Sequence, residues 1–153
     1  MGAEARLQEL GIQLPNPPEP VANYVSAKRV GNLLFVAGHG PAHDKDGNRP
    51  LGKVGRDLSL EEAYQAARSA GLSLLATLRA ELGSLDHVRQ LVKVLGMVNC
   101  SPGFNQTPAV MNGFSDLMVE VFGEAGRHAR SAVGMAELPS DIPVEIEMIV
   151  EVE

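Results

Sequence analysis

The chain has 153 residues, 44% of them hydrophobic and 21% charged, which suits one globular domain with its own core and excludes a disordered chain. Its 13 Lys and Arg against 19 Asp and Glu leave a formal net charge of -6, and aromatic residues are only 4% with no Trp. That balance disfavours nucleic acid as a partner, because it supplies neither a basic footprint for phosphates nor stacking platforms for bases. The longest apolar run, Leu33 to Ala37, is too short to cross a membrane.

In chain order, Ala3 to Leu10 reads as a short helix stopped by Gly11. The prolines at 15, 17, 18 and 20 then exclude helix and central strand and predict an extended arm. Tyr24 to Arg29 and Leu33 to Gly38 read as two strands joined through Gly31-Asn32, a pair suited to a tight hairpin. His39 to Arg56 is a long loop rich in Gly, Pro, Asp and Asn, with a short strand expected near Lys53; loops of this length are often functional.

Ser59 to Leu82 has a capping-box start at Ser59 and Glu62, an apolar stripe of Ala63, Ala66, Ala67, Ala70, Leu74 and Leu78, and Gly83 as its stop. Val88 to Val98 reads as a strand with Val92, Val94 and Val98 on one face and Leu91, Leu95 and Met97 on the other. Thr107-Pro108 opens a helix that runs to about Phe122. Arg130 to Ala136 and Val144 to Val152 are the last strands. The final one alternates cleanly, with Val144, Ile146, Met148, Val150 and Val152 on one face.

The order β-β-α-β-α-β-β predicts an α+β fold with one sheet and two helices on one face. Residues 1–20 form an N-terminal extension with its proline-rich arm, and 21–153 form a single domain. Several strands are apolar on both faces. The economical cover for the second face is another copy of the chain.

Few residues suggest chemistry. Arg130 shares a strand face with Ala132, Gly134 and Ala136, which leaves room in front of a guanidinium able to hold a carboxylate by two prongs. Glu145 and Glu147 face one side of the last strand; a solvated pair is the plainer reading unless Glu145 approaches Arg130. His39, His43 and Asp44 lack an evident third ligand geometry, so no metal is expected. Gly38-His39-Gly40 lacks the Lys-Ser/Thr and the helix of a phosphate loop. Cys100 shows no nearby base and excludes a disulfide framework. With no apolar signal core in Met1 to Arg6, a reducing, cytoplasmic location is expected.

Four segments nevertheless form a recognisable set: Ala22-Asn23-Tyr24-Val25-Ser26, Val30 through Gly38, Arg130-Ser131-Ala132-Val133, and Leu138-Pro139 followed by Val144-Glu145-Ile146-Glu147. In these the chain resembles the Rid proteins, the reactive intermediate deaminases also called the YjgF or endoribonuclease L-PSP family. It shares with one sub-branch the run His-Ala-Arg-Ser-Ala-Val-Gly, found here at 128–134. The resemblance implies a chorismate-mutase-like fold, a homotrimer and ligand clefts between subunits. It places Arg130 on the substrate carboxylate, with Tyr24, Gly38, Glu145 and Asn112 lining the same cleft. His39 and Ala132 stand at cleft positions where the best-characterised branch has glutamine and cysteine.

The activity this resemblance implies is hydrolysis of 2-aminoacrylate-like enamines and imines to 2-oxo acids and ammonia. Arg130, Glu145 and Tyr24 would be the catalytic residues, with no cofactor because an imine is already electrophilic. The expected partners are a small carboxylate-bearing imine or 2-oxo acid and further copies of the chain. A non-catalytic carboxylate-binding protein using the same cleft is the alternative, and an endoribonuclease is the least favoured.

Overall fold

The computed structural model describes residues 1–153. Helix α1 is Ala3–Glu9, strand β1 is Ala27–Val30 and strand β2 is Leu33–His39. Helix α2 is Leu60–Leu82, strand β3 is Val88–Asn99 and helix α3 is Thr107–Phe122. Strands β4, Ala129–Met135, and β5, Val144–Val152, complete one sheet of order β1-β2-β5-β3-β4. All neighbours are antiparallel except β3 and β4, which are parallel and joined by the α3 crossover. The expected α+β layout with a single mixed sheet is what the chain adopts.

Local chemistry explains these elements. Ser59 and Glu62 complete both bonds of the capping box, and Gly83 closes α2 in the left-handed conformation at φ 80°. Gly31, at φ 59°, turns the β1–β2 hairpin. The first strand is shorter than expected, because the chain leaves the sheet before Ala27: the Tyr24 N–H turns back to the Ala22 carbonyl instead of joining a ladder. The strand expected near Lys53 is reduced to isolated bridges from Val54 to Leu58 and Cys100.

Helices α2 and α3 cover one face of the sheet. The five alternate residues of β5, Val144 through Val152, are all buried beneath them, with Leu34 and Val36 of β2 and Val94 and Val98 of β3. Each such side chain contributes roughly 1.5–3 kcal/mol of burial. Leu91 joins this layer too, whereas Val92 is exposed, which corrects the expected faces of β3. A register shift between Leu91 and Lys93 supplies the reason: an irregularity in the ladder changes the parity of the alternation.

The two helices meet at small residues. Gly71 of α2 faces Phe114, Leu117 and Met118, and Gly113 of α3 lies directly against the Tyr64 carbonyl. Helix α1 docks on this pair through buried Leu7. Its Glu4 carboxylate accepts from the Arg79 guanidinium (2.6 and 3.0 Å) and the Leu85 N–H (2.9 Å), and the Arg79 hydrogen bond is the main reason its pKa is lowered. Residues ahead of the proline arm are therefore packed on the same core as the domain.

No helix covers the opposite face. It presents Phe35 opposite Ile149 and Met97 opposite Val133, with Leu95 on the same side and Lys93, Glu145 and Glu147 among them, and Phe35 and Val133 are exposed. No helix of the chain is long and apolar enough to cross a membrane.

The glycine contact makes a test of helix packing. Alanine is a better helix former than glycine by about 1 kcal/mol. Gly113→Ala should nevertheless destabilise the protein by roughly 1–3 kcal/mol, because its methyl group has no space against the Tyr64 carbonyl. Denaturant unfolding measures the difference, and a stabilised variant would show that the helices are free to separate.

Candidate functional site

The residues singled out by sequence fall into two groups on opposite faces of the sheet. The first is built on β4, an edge strand. Thr107 Oγ1 donates to the Ala132 carbonyl (2.9 Å), which pins the start of α3 to β4. From there Pro108, Asn112 and Ser115 follow at helical spacing along one side of α3. Arg130 Nη1 donates to Asn112 Oδ1 and Ser115 Oγ, both at 3.0 Å, and Nη2 reaches the Pro108 carbonyl at 3.4 Å. All three partners are neutral, and none of the chain's ion pairs includes Arg130. Ala132 lies on the same side of β4 and adds no polar side chain.

A histidine extends this network. His128 Nδ1 lies 2.7 Å from the Gly126 carbonyl, which fixes the proton on that nitrogen. Nε2 is then an acceptor for the Ser115 hydroxyl at 2.9 Å, and the hydroxyl's lone pairs face Arg130. Burial, and secondarily the charge of Arg130, lowers the His128 pKa and favours this neutral ring. Phe114 packs edge-on against it with centroids 5.6 Å apart. Ser115 belongs to no motif quoted from the sequence, and His128 only opens the run at 128–134, with no role read for it there. The one available signal is position: His128 stands two residues before Arg130, and Ser115 three after Asn112.

The second group surrounds Glu145 on β5. It lies on the open face beside β2, over Gly38, where a Cβ would stand only 2.5 Å from Glu145 Oε2. Gly38 thus lets the carboxylate lie flat on the backbone. Tyr24, Ser26, Arg49 and the proline arm line the same cleft, whose volume is about 520 Å³. Burial and then the neighbouring Glu147 raise the Glu145 pKa.

His39 contributes its main chain to this cleft, while its ring turns the other way into the core. Nε2 lies 2.7 Å from Thr77 Oγ1 and Nδ1 2.6 Å from the Ala37 carbonyl; burial lowers its pKa. His43 and Asp44 remain on the exposed loop, and no three metal-ligating side chains cluster anywhere in the chain. Cys100 is half-buried, which raises its thiol pKa and leaves it a poor nucleophile.

Arg130 and Glu145 do not meet within one chain. Strand β3 separates their strands, and they point to opposite faces.

Residues 4–148 fit a family model described as "YjgF/chorismate_mutase-like, putative endoribonuclease". The chain belongs to this family. A Trypanosoma cruzi relative, protein TCP17, is 45% identical over 148 residues, 96% of this chain and 92% of its own. A Dermatophagoides farinae relative named 2-iminobutanoate/2-iminopropanoate deaminase is 33% identical over 142 residues, 93% of this chain and 95% of its own. Among solved structures, an Agrobacterium tumefaciens protein of unknown function superposes with a TM-score of 0.90 at 43% identity, covering 99% of this chain and 92% of that one.

The environment of Glu145 yields a pH test. A carboxyl whose folded pKa is raised binds its proton more tightly in the folded than in the unfolded chain. Its effect on stability is most favourable in acid and is lost as pH rises through the raised value. Glu145→Gln removes that loss. The variant's Tm should exceed the wild type's at neutral pH, with the gap closing toward about pH 4. Parallel Tm curves from about pH 4 to pH 8 would contradict the buried-carboxyl account.

Proposed function

We propose that the protein is an enamine/imine deaminase whose site joins the Arg130 group of one chain to the Glu145 cleft of another in a homotrimer. The observation that carries this reading is the Arg130 guanidinium, aligned by neutral side chains and left without an acidic partner. A group so held is organised to receive a carboxylate from outside. The name of the Dermatophagoides farinae relative supplies the substrate class.

In this reading, Arg130 and Asn112 fix the carboxylate and so place the adjacent imine carbon, a proximity effect. Water adds to that carbon while Glu145 accepts its proton. The nitrogen takes up first the proton held by Glu145 and then the proton of the new hydroxyl, the C–N bond breaks as C=O forms and ammonia leaves, so a 2-imino acid and water become a 2-oxo acid and ammonia. The raised pKa of Glu145 suits this exchange, because it makes the carboxylate a stronger proton acceptor than an exposed one. Tyr24 and the backbone around Gly38 bound the cleft.

The assembly follows from the two faces. The uncovered apolar face around Phe35, Ile149 and Val133 needs a partner, and a copy turned about a threefold axis can bring its β4 edge to the Glu145 cleft while closing the ring. RNA cleavage finds less support: Glu145 and Glu147 would repel phosphate, and the His39 ring is committed to the core.

Two measurements follow. Light scattering should give about three times the 16.3 kDa chain mass. Arg130→Ala should weaken 2-oxobutyrate binding by about thirtyfold to several thousandfold in calorimetry and abolish ammonia release from freshly generated 2-aminoacrylate. Arg130→Lys, which keeps the charge but loses the planar fork, should be nearly as damaging. Wild-type behaviour of Arg130→Ala in both assays would remove the deaminase reading.

A further inference from the structure

Gly38 and Gly40 flank His39, whose ring points into the core, so both glycines face the cleft side. Each is a notch for a charged side chain. A Cβ on Gly38 would strike Glu145, and one on Gly40 would stand 3.3 Å from Arg49 Nη1 and 2.9 Å from Ile142 Cδ1. Two residues of chain span at most about 7 Å, so the carboxylate and the guanidinium are seated over neighbouring points of one stretch of backbone without forming an ion pair.

The loop that carries Arg49 is tied down. Asp44 Oδ1 accepts from the Asp46 and Asn48 N–H groups at 2.8 and 2.9 Å, and the Asp44 N–H donates to the Asn48 carbonyl at 2.7 Å. Before Arg49, the Ala42 N–H donates to Ser69 Oγ on α2 at 3.0 Å; after it, the Gly52 N–H donates to the Asp141 carbonyl at 2.7 Å. Arg49 itself is half-buried and makes one long bond, 3.5 Å to the Pro41 carbonyl. Glu19 and Asp44 also line the cleft, yet neither forms an ion pair with it. The cleft therefore holds a second cation, carried on a tied-down loop and without an ion-pair partner, beyond the one supplied by Arg130.

We infer that Arg49 is a second anion-binding subsite, and that the substrate is a 2-imino acid carrying another carboxylate at the far end of its side chain. The inference rests on the deaminase reading: with Arg130 holding the α-carboxylate and Glu145 beside the reacting carbon, the side chain runs along the backbone from Gly38 toward Gly40. The span of about 7 Å leaves room for a few carbons before the distal carboxylate meets the guanidinium. The proline arm at 15–20 walls the cleft and gives it the depth for a longer substrate.

The ratio of two affinities tests this by calorimetry, with 2-oxoglutarate and 2-oxobutyrate as probes. The wild type should bind 2-oxoglutarate about tenfold or more tighter than 2-oxobutyrate. Arg49→Gln should bring that ratio close to one, and Arg49→Lys should restore part of it, because a point charge survives without the fork. A wild-type ratio near one would overturn the inference. So would a preference that persists in Arg49→Gln, including the case where both affinities fall together because the loop has shifted. Arg130→Ala separates this failure from that of the underlying reading. Arg130-dependent binding of 2-oxobutyrate without discrimination sinks the Arg49 subsite alone, whereas 2-oxobutyrate binding indifferent to Arg130 sinks both.

Discussion

A five-stranded sheet with helices on only one face is the constraint from which the rest follows. Helices α2 and α3 close tightly over β5, β3 and β2, aided by the small residues at Gly71 and Gly113. That layer satisfies one side of each strand and leaves Phe35, Leu95, Met97, Ile149 and Val133 on the other. An apolar patch across four strands is a cost to an isolated chain in water and a driving force for self-association. In the proposed trimer the same surface that requires partners also brings the functional groups together.

The electrostatics of the two groups are complementary. On the helix side of β4, Arg130 keeps its charge among neutral donors and acceptors, and neutral His128 orients the Ser115 hydroxyl that helps to hold it. On the open side of β5, Glu145 is pushed toward its protonated form by burial and by Glu147. Placing both on one strand face would let them form an ordinary ion pair and quench each other. The sheet keeps them apart within the chain, so each stays available to a ligand. An arginine left without a carboxylate is poor for stability and well suited to binding.

Much of this was legible in the sequence because it follows from short-range rules. The capping box at Ser59, the hairpin glycine at 31 and the strict alternation of β5 each act within a few residues, and each matches the fold. Arg130 and Asn112, 18 residues apart, do meet, although none of the four recognised segments contains Asn112. Features that depend on distant contacts were not legible. The ladder irregularity at Leu91 moves that residue into the core, and the pull of Thr77 takes the His39 ring out of the cleft. The Ser115–His128 link and the seat of Arg49 over Gly40 arise only when loop, helix and strand are assembled. No local pattern records them.

The central claim is that one site needs two chains, and subunit complementation tests it most directly. Arg130→Ala and Glu145→Gln chains, each inactive alone, are co-expressed in equal amounts and the mixed oligomer is assayed for ammonia release from 2-aminoacrylate. Random assembly joins an intact Arg130 to an intact Glu145 in about a quarter of the inter-subunit clefts, so activity should return to about a quarter of the wild-type value. A mixed oligomer no more active than its parents would show that the site lies within one chain and contradict the account.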